Sequence, residues 1–346
     1  MRALQLIAAN QPFELREVPQ PDPRPGEVLV KVGGAGACHS DLHFGEWPAE
    51  ILELLGFTPP FTLGHENAGW VEALGDGVAG VEVGQPVAVY GPWGCGRCWD
   101  CRASRENYCQ EHNGTGGGLG IDGGIAEYVL VPSARHLVPL GDLDPVAAAP
   151  LGDAALTPYH AIKRSLPKLR AGSTAVVIGV GGLGHLAVGL LRELSPARVI
   201  AVDVDEQKLR LASDLGAHEA VPSDASTAET IRAMSAGQGA EVVLDVVGTD
   251  ATLSMAAAMT RRQGDLTILG VGGGTLPVNF GLMPYEASVQ TSYWGSATEL
   301  IEVLDLARAG RIEVRTETFP LERAAEAYDR LAAGEVQGRA VVTPHG

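Results

Sequence analysis

A glycine-rich turn between a short apolar strand and an apolar helix is the feature that most restricts the fold of this chain. The turn, Gly179–Gly184, follows a predicted strand at Thr174–Ile178 and opens a predicted helix from about 183 to 194. A second predicted strand begins at Arg198 and ends at Asp203. Strands that alternate with helices in this way favour a parallel sheet with right-handed crossovers, and therefore an α/β fold.

The same turn predicts a dinucleotide site, because it has the pattern G-x-G-x-x-G between a strand and a helix. Gly179 permits the tight turn, Gly181 lets the backbone approach a pyrophosphate, and Gly184 lets the helix pack closely on the strand. The helix N-terminus offers N–H groups and a partial positive charge to the phosphates. The predicted cofactor contacts of the turn are Gly179, Gly181, Gly182, Leu183 and Gly184.

Two residues beyond the turn bear on the choice of cofactor. Asp203 lies 24 residues after Gly179 and ends the second strand. Its carboxylate is expected to accept hydrogen bonds from the adenosine ribose hydroxyls and to repel a 2′-phosphate, which favours NAD over NADP. Lys208 either adds a ribose or phosphate contact or belongs to a solvated helix face.

Four of the five cysteines predict a structural zinc ion. Cys95, Cys98, Cys101 and Cys109 follow the spacing C-x2-C-x2-C-x7-C. Four thiolates this close in sequence suit a closed tetrahedral shell. Two disulfides would need an oxidising compartment, and the first twenty residues show no secretory signal. An iron–sulfur cluster also uses four thiolates, but usually at different spacings.

A second, open metal site is predicted around the fifth cysteine, Cys38. His65 supplies an imidazole from a separate loop. A catalytic zinc needs a third protein ligand and keeps one position open for substrate. Because no cysteine remains, this ligand is expected to be His, Asp or Glu. Asp153 is the best candidate and Glu66 is its competitor.

Length and composition limit the partners of the chain. Its 346 residues are enough for two domains, and 45% apolar residues support a large core. The formal net charge of −17 disfavours a nucleic-acid partner. No apolar run approaches the roughly 20 residues that span a bilayer. The chain is therefore predicted to be a cytoplasmic protein without a membrane partner.

Taken together, the motifs resemble those of zinc-dependent medium-chain alcohol dehydrogenases over the whole length of the chain. The marks of the resemblance are Cys38-His39-Ser40-Asp41, Gly64-His65-Glu66, the four-cysteine lobe, and Gly179–Gly184 with Asp203. The resemblance is closest to bacterial secondary-alcohol dehydrogenases, which carry a run similar to Tyr90–Cys95 of this chain. It implies a β-rich GroES-like catalytic domain at 1–154 and 290–346, with a structural zinc lobe at about 91–112. A Rossmann NAD-binding domain with a doubly wound parallel sheet is expected at 155–289.

The resemblance also implies residue roles around the open metal site. Ser40 matches the hydroxyl that takes the proton of the alcohol, and His43 matches the histidine that passes this proton on to solvent through the ribose. Asp41 and Glu66 match acids that lie behind the metal ligands. The family's third ligand is often cysteine. Asp153 occupies that position here and preserves the charge balance of the site, since carboxylate is a legitimate zinc ligand.

Three further residues match cofactor contacts of the family. His39 matches a pyrophosphate contact that is often arginine, Thr157 matches a contact on the nicotinamide side, and Arg339 matches a late arginine near the phosphates. Walls of the substrate pocket are expected from Phe44, Trp47, Leu119, Tyr293 and Trp294.

The implied function is reversible hydride transfer between an alcohol and NAD, with two zinc ions per chain. A secondary alcohol is the first expectation for the substrate, and a primary or aromatic alcohol is the second. The alternatives are a polyol or diol dehydrogenase of the same superfamily and, less favoured, an inactive binding protein with this fold. The resemblance implies a homotetramer, with a dimer as the alternative. Motifs do not reveal enantioselectivity, pathway or physiological direction.

Overall fold

The computed structural model describes residues 1–112 and 115–345, which form two compact units. The first unit comprises Met1–Leu156, Gly295–Gly310 and Val314–Gly346. The second comprises Thr157–Trp294 and Arg311–Glu313. The nucleotide-binding domain expected from the sequence spans 155–289.

The strands are, in chain order, β1 (Arg2–Leu6), β2 (Glu14–Glu17), β3 (Val28–Gly36), β4 (Phe61–Thr62), β5 (Glu66–Leu74), β6 (Pro86–Val89), β7 (Gly116–Gly117), β8 (Gly120–Ile121), β9 (Tyr128–Val131), β10 (Leu137–Pro139), β11 (Thr174–Ile178), β12 (Arg198–Asp203), β13 (Glu219–Pro222), β14 (Ala240–Asp245), β15 (Thr260–Ile268), β16 (Ser288–Thr291), β17 (Thr316–Pro320) and β18 (Arg339–Thr343).

The α-helices are α1 (His39–Glu46), α2 (Ala49–Leu54), α3 (Trp99–Arg102), α4 (Pro145–Ala148), α5 (Leu156–Ser165), α6 (Gly184–Leu194), α7 (Glu206–Asp214), α8 (Thr227–Met234), α9 (Asp250–Met259), α10 (Ala297–Arg308) and α11 (Ala324–Ala332). Short 3-10 helices are Glu106–Tyr108, Ala134–His136, Ala149–Gly152, Leu166–Lys168 and Leu321–Arg323. No helix in the described ranges is long and apolar enough to cross a membrane.

The first unit is built on a mixed sheet in the order β10-β6-β5-β3-β18-β17, with β9 also paired to β3. The central strand β3 is almost entirely buried, which fits its run of small and branched apolar residues. The antiparallel register places Gly36 opposite Glu66 of β5 and opposite Val341 of β18. This pairing brings together the chain after β3, the chain before β5 and the start of β18.

The second unit contains a parallel β-sheet, so the α/β fold that the sequence predicts is confirmed. Its six strands run parallel in the order β13-β12-β11-β14-β15-β16. Strand order reverses beside β11, since β12 and β14 lie on its two sides. In open sheets of this kind, ligands bind outside the carboxyl ends of the strands at such a reversal. The turn that leaves β11 is Gly179–Gly184.

Candidate metal centres and cofactor site

Three side chains that suit a metal ion converge in the first unit. Ligand atoms of Cys38, His65 and Asp153 all lie within 4.8 Å of one another. Cys38 precedes α1, His65 precedes β5, and Asp153 follows a short 3-10 helix. Nε2 of His65 is 3.5 Å from Oδ2 of Asp153. The structure therefore brings together the three residues that the sequence singled out as ligands of the open site.

Asp41 lies behind two of these residues and fixes their orientation. Its Oδ1 is 3.1 Å from Nδ1 of His65, and its Oδ2 accepts the backbone N–H of Cys38 at 3.0 Å. Burial lowers the pKa of His65, but the carboxylates of Asp41 and Asp153 outweigh it and hold that pKa well above its usual value. An acid on one imidazole nitrogen leaves the other nitrogen directed at the metal, as in many zinc sites.

Glu66, the competing third ligand, is engaged elsewhere. Nε and Nη2 of Arg339 donate to its two carboxylate oxygens at 2.8 and 2.7 Å, and the N–H of Ala154 donates to Oε1 at 2.9 Å. Burial raises the pKa of Glu66, although Arg339 opposes this. Glu66 thus braces the backbone beside Asp153, which favours Asp153 as the third ligand.

Arg339, which the resemblance matches to an arginine near the cofactor phosphates, forms an ion pair with Glu66. It is 2% exposed. Two of its guanidinium nitrogens are committed to the carboxylate. A contact with phosphate remains a prediction from the resemblance alone.

The donor set fits zinc better than a hard cation. One thiolate, one imidazole and one carboxylate are ligands that zinc accepts, whereas calcium and magnesium prefer oxygen alone. Tetrahedral bonds of about 2.0–2.3 Å place ligand atoms roughly 3.3–3.8 Å apart. The 3.5 Å separation of His65 and Asp153 lies in that range. Three protein ligands also leave one position for a substrate oxygen, as catalytic sites require.

The four remaining cysteines form a separate cluster in a loop. Ligand atoms of Cys95, Cys98, Cys101 and Cys109 lie within 4.8 Å of one another, and none of these thiols is in a disulfide. The backbone N–H of Cys95 donates to Sγ of Cys109. Burial raises the pKa of the Cys109 thiol. Backbone N–H donors, including that of Cys95, outweigh burial and lower this pKa to about 7, which favours the thiolate form that a metal binds. The cluster suits a closed, structural zinc.

Helix α1 carries the residues assigned to proton transfer. Ser40 and His43 are three positions apart, so they are neighbours along the helix surface. Nδ1 of His43 is 3.5 Å from Glu46, and its ring stacks on Trp47 with centroids 6.4 Å apart. His39 is exposed at the start of the helix, 5.6 Å from the ring of His43. These contacts place the rings of His39, His43 and Trp47 beside one another on and after α1. The route of the proton remains a prediction.

The expected pocket residues belong to both units. Phe44 is buried and Trp47 is half-buried on α1, with their rings 5.5 Å apart, and Leu119 is buried in the same unit. Tyr293 and Trp294 belong to the second unit, where their rings meet edge to face at 5.9 Å. Two of these aromatic side chains therefore belong to α1, the helix that Cys38 precedes.

The glycine turn of the second unit has the geometry that the motif requires. Gly179 has φ of +90°, and a Cβ on Gly184 would lie 1.7 Å from the carbonyl oxygen of Gly179. A Cβ on Gly181 would meet no protein atom within 4 Å. The fold therefore requires glycine at positions 179 and 184. Gly181 leaves open space on the outside of the turn, as expected where a pyrophosphate approaches.

Asp203 is tied to this turn. Its Oδ2 accepts the N–H of Val180 at 2.6 Å and its Oδ1 accepts the N–H of Asp205 at 3.0 Å. The carboxylate lies at the end of β12 beside β11, where ribose recognition is expected. Thr157 is buried near the start of α5, and Lys208 is partly exposed on α7. Their cofactor contacts remain predictions.

Sequence reasoning missed Tyr328, which contacts the metal centre indirectly. Its hydroxyl donates to Oδ2 of Asp41 at 2.7 Å although the two residues are 287 positions apart. No motif surrounds this tyrosine, so the sequence carried no signal for the contact.

Comparison with known proteins agrees with the fold. Residues 24–142 match the model of the alcohol dehydrogenase GroES-like domain, and residues 182–309 match that of the zinc-binding dehydrogenases. The chain belongs to the family of zinc-dependent medium-chain alcohol dehydrogenases. The residues that carried the resemblance are the ones that build the two cysteine-containing sites and the glycine turn.

Individual relatives cover almost the whole chain. An NAD-dependent alcohol dehydrogenase of Sulfurisphaera tokodaii is 37% identical and covers 99% of this chain and 100% of its own length. A D-arabinose 1-dehydrogenase (NADP⁺) of Saccharolobus solfataricus is 33% identical, with 99% and 97% covered. The crystal structure of the alcohol dehydrogenase of Aeropyrum pernix superposes with a TM-score of 0.92 at 37% identity, with 99% and 100% covered.

Proposed function

We propose that this protein is an NAD-dependent alcohol dehydrogenase that interconverts secondary alcohols and ketones. The observation that carries the proposal is the convergence of Cys38, His65 and Asp153 in the first unit, in a chain whose second unit has an intact dinucleotide turn. An open three-ligand site and a dinucleotide-binding sheet are the two parts that alcohol oxidation by hydride transfer needs. We assign one zinc to this site and one to the four-cysteine cluster.

The chain's own residues supply the binding, orientation and proton transfer. Cys38, His65 and Asp153 would hold a zinc ion whose Lewis acidity would lower the pKa of a bound alcohol, and the glycine turn would hold the NAD that would accept the hydride. Ser40 accepts the hydroxyl proton, and His43 passes it towards solvent from the next turn of α1. Asp41 holds the imidazole of His65, and Glu66 holds the backbone beside Asp153. In the reverse direction the same groups return the proton to the product oxygen.

Asp203 supports the assignment of NAD rather than NADP. Its carboxylate is fixed by two backbone N–H groups, so it is held as a rigid negative charge at the end of β12. A 2′-phosphate at this edge would meet that charge, whereas ribose hydroxyls would donate to it.

The substrate class is inferred from α1. Phe44 and Trp47 present aromatic surface on the helix that also carries Ser40. Apolar lining favours an alcohol with two carbon substituents or an aromatic group over a polyhydroxylated sugar. A sugar or polyol is the second candidate, because the D-arabinose dehydrogenase is nearly as similar as the alcohol dehydrogenases.

A substrate and cofactor survey of the purified protein tests the function. We expect NADH formation with secondary alcohols such as 2-butanol and 1-phenylethanol, weaker rates with sorbitol and D-arabinose, and a higher kcat/KM for NAD than for NADP. Metal analysis of the same sample is expected to find two zinc ions per chain. The absence of any turnover with alcohols, sugars or ketones would contradict the proposal, and faster oxidation of D-arabinose would select the second candidate.

Ser40→Ala is expected to lower kcat by about 10²–10⁴-fold, the usual contribution of a positioned acid–base group. The physical reason is the loss of the hydroxyl that receives the proton. Steady-state kinetics would measure the effect, and Ser40→Thr, which retains a hydroxyl, serves as the matched variant. Turnover near that of the wild type in Ser40→Ala would exclude this serine from proton transfer.

Assembly and compartment are further parts of the proposal. An exposed apolar segment before and beside the edge strand β16 includes Val278, Phe280, Leu282 and Tyr285, and Phe280 is 87% exposed. Such a segment supports burial between subunits, and we assign a homotetramer. Light scattering should separate a tetramer from a dimer of the 36.0 kDa chain. The five unbridged thiols agree with a reducing, cytoplasmic location.

A further inference from the structure

We propose that Tyr328 is a positioning residue for the open metal site, because it holds the carboxylate that orients two of the three ligands. The inference rests on the zinc site assigned under the proposed function. Tyr328 lies on α11 in the last part of the chain, far in sequence from every residue of that site.

The contact consists of two buried hydrogen bonds and one buried ion pair, all made by the carboxylate of Asp41. Tyr328 is 2% exposed and Asp41 is fully buried. The tyrosine hydroxyl donates to Oδ2 of Asp41 at 2.7 Å, and the N–H of Cys38 donates to the same oxygen at 3.0 Å. The other oxygen, Oδ1, lies 3.1 Å from Nδ1 of His65. One carboxylate therefore joins the hydroxyl to the backbone of one metal ligand and to the ring of another.

The ring of Tyr328 is itself fixed by packing. Phe13 meets it edge to face, with centroids 5.0 Å apart and ring planes at 70°. Such contacts limit the directions in which the hydroxyl can point. The position of the hydroxyl is therefore fixed, because Tyr328 belongs to α11 and its ring packs against Phe13.

One consequence follows for the metal ligands. Loss of the hydroxyl leaves Oδ2 of Asp41 with one fewer donor, so the carboxylate is freer to rotate. Rotation of this carboxylate alters the direction of Nε2 of His65 and the position of the Cys38 backbone, which is how outer partners tune a metal site.

The test is Tyr328→Phe, which removes the hydroxyl and keeps the ring. The zinc-loaded protein is challenged with EDTA, and zinc release is followed with a chromogenic indicator. We expect zinc to leave the open site about 10-fold faster than in the wild type, the lower end of the usual effect of outer partners. Release from the four-cysteine cluster is expected to stay unchanged and serves as the internal reference. The visible spectrum of the cobalt(II)-substituted open site is expected to shift.

Tyr90→Phe is the matched control. Tyr90 is also fully buried in the first unit, and its hydroxyl donates to the backbone carbonyl of Gly295 at 2.6 Å. Its release rate and cobalt spectrum should equal those of the wild type. Equal effects of the two variants, or no effect of Tyr328→Phe, would overturn the role of Tyr328. A wild-type chain that holds zinc only in the cysteine cluster would instead overturn the open zinc site, and with it this role.

Discussion

Asp153→Ala is expected to lose the zinc of the open site and to reduce kcat by about 10⁴-fold, the largest effect that we predict. Cys38 and His65 alone cannot form the three-ligand site that catalytic zinc requires. The Lewis acid contributes several kcal/mol to the reaction, and about 5.5 kcal/mol corresponds to 10⁴ in rate. Metal analysis should fall from two zinc ions per chain to one, and steady-state kinetics should give the loss of turnover.

Two further variants distinguish the loss of a zinc ligand from an unspecific effect of substitution on zinc content or turnover. Asp153→Cys restores an anionic ligand of the kind common in the family, and we expect it to retain zinc and measurable turnover. Asp305→Ala, at an exposed position of α10, should change neither quantity. If Asp153→Ala kept both zinc ions and its activity, Glu66 would have to serve as the third ligand.

Arg339→Met is expected to lower the free energy of unfolding by about 3–5 kcal/mol, the usual result of removing one partner of a buried ion pair. The guanidinium is 2% exposed and Glu66 is fully buried, so the substitution leaves a carboxylate without its cation inside the sheet. The remaining donor to this carboxylate is the N–H of Ala154, within the described contacts. Urea denaturation monitored by fluorescence would measure the change.

The double variant Glu66→Gln/Arg339→Met tests the cause. It removes both charges, so it should be less destabilised than the sum of the two single variants, as interacting residues are. Arg330→Met breaks a partly exposed pair with Glu317 in the same unit and should cost less than about 1 kcal/mol. A loss below 1 kcal/mol for Arg339→Met would show that the buried pair contributes little to stability.

Strands and helices of the second unit were largely predictable because their signals are local. The strand Thr174–Ile178 has the predicted bounds, and the helix after the glycine turn starts within one residue of its predicted position. The apolar pattern continues to Val247, but strand β14 ends at Asp245. The Asp245 carboxylate accepts the N–H groups of Val247 and Gly248 and turns the chain out of the sheet.

Bounds near Asp153 were less predictable. Helix α5 begins at Leu156, after the 3-10 helix Ala149–Gly152, so Asp153 lies between the two. Asp153 has φ of −141° and ψ of −57°, outside the helical region. The backbone N–H beside it is held by Glu66, a contact across 88 residues that no local pattern encodes. This long-range hydrogen bond holds the backbone beside Asp153, whose carboxylate lies 3.5 Å from Nε2 of His65.

The sequence alone determined the classes of chemistry, because thiols at short spacing and a glycine turn between strand and helix depend on neighbours along the chain. Its motifs also indicated which residues could bind metal ions and which edge of the parallel sheet could bind the cofactor. Only the tertiary structure placed Asp153 beside Cys38 and His65, paired Glu66 with Arg339, and joined Tyr328 to Asp41. Those outcomes depend on strand register and on buried side chains that compete for the same hydrogen bonds, and such competition exists only once distant segments have packed together.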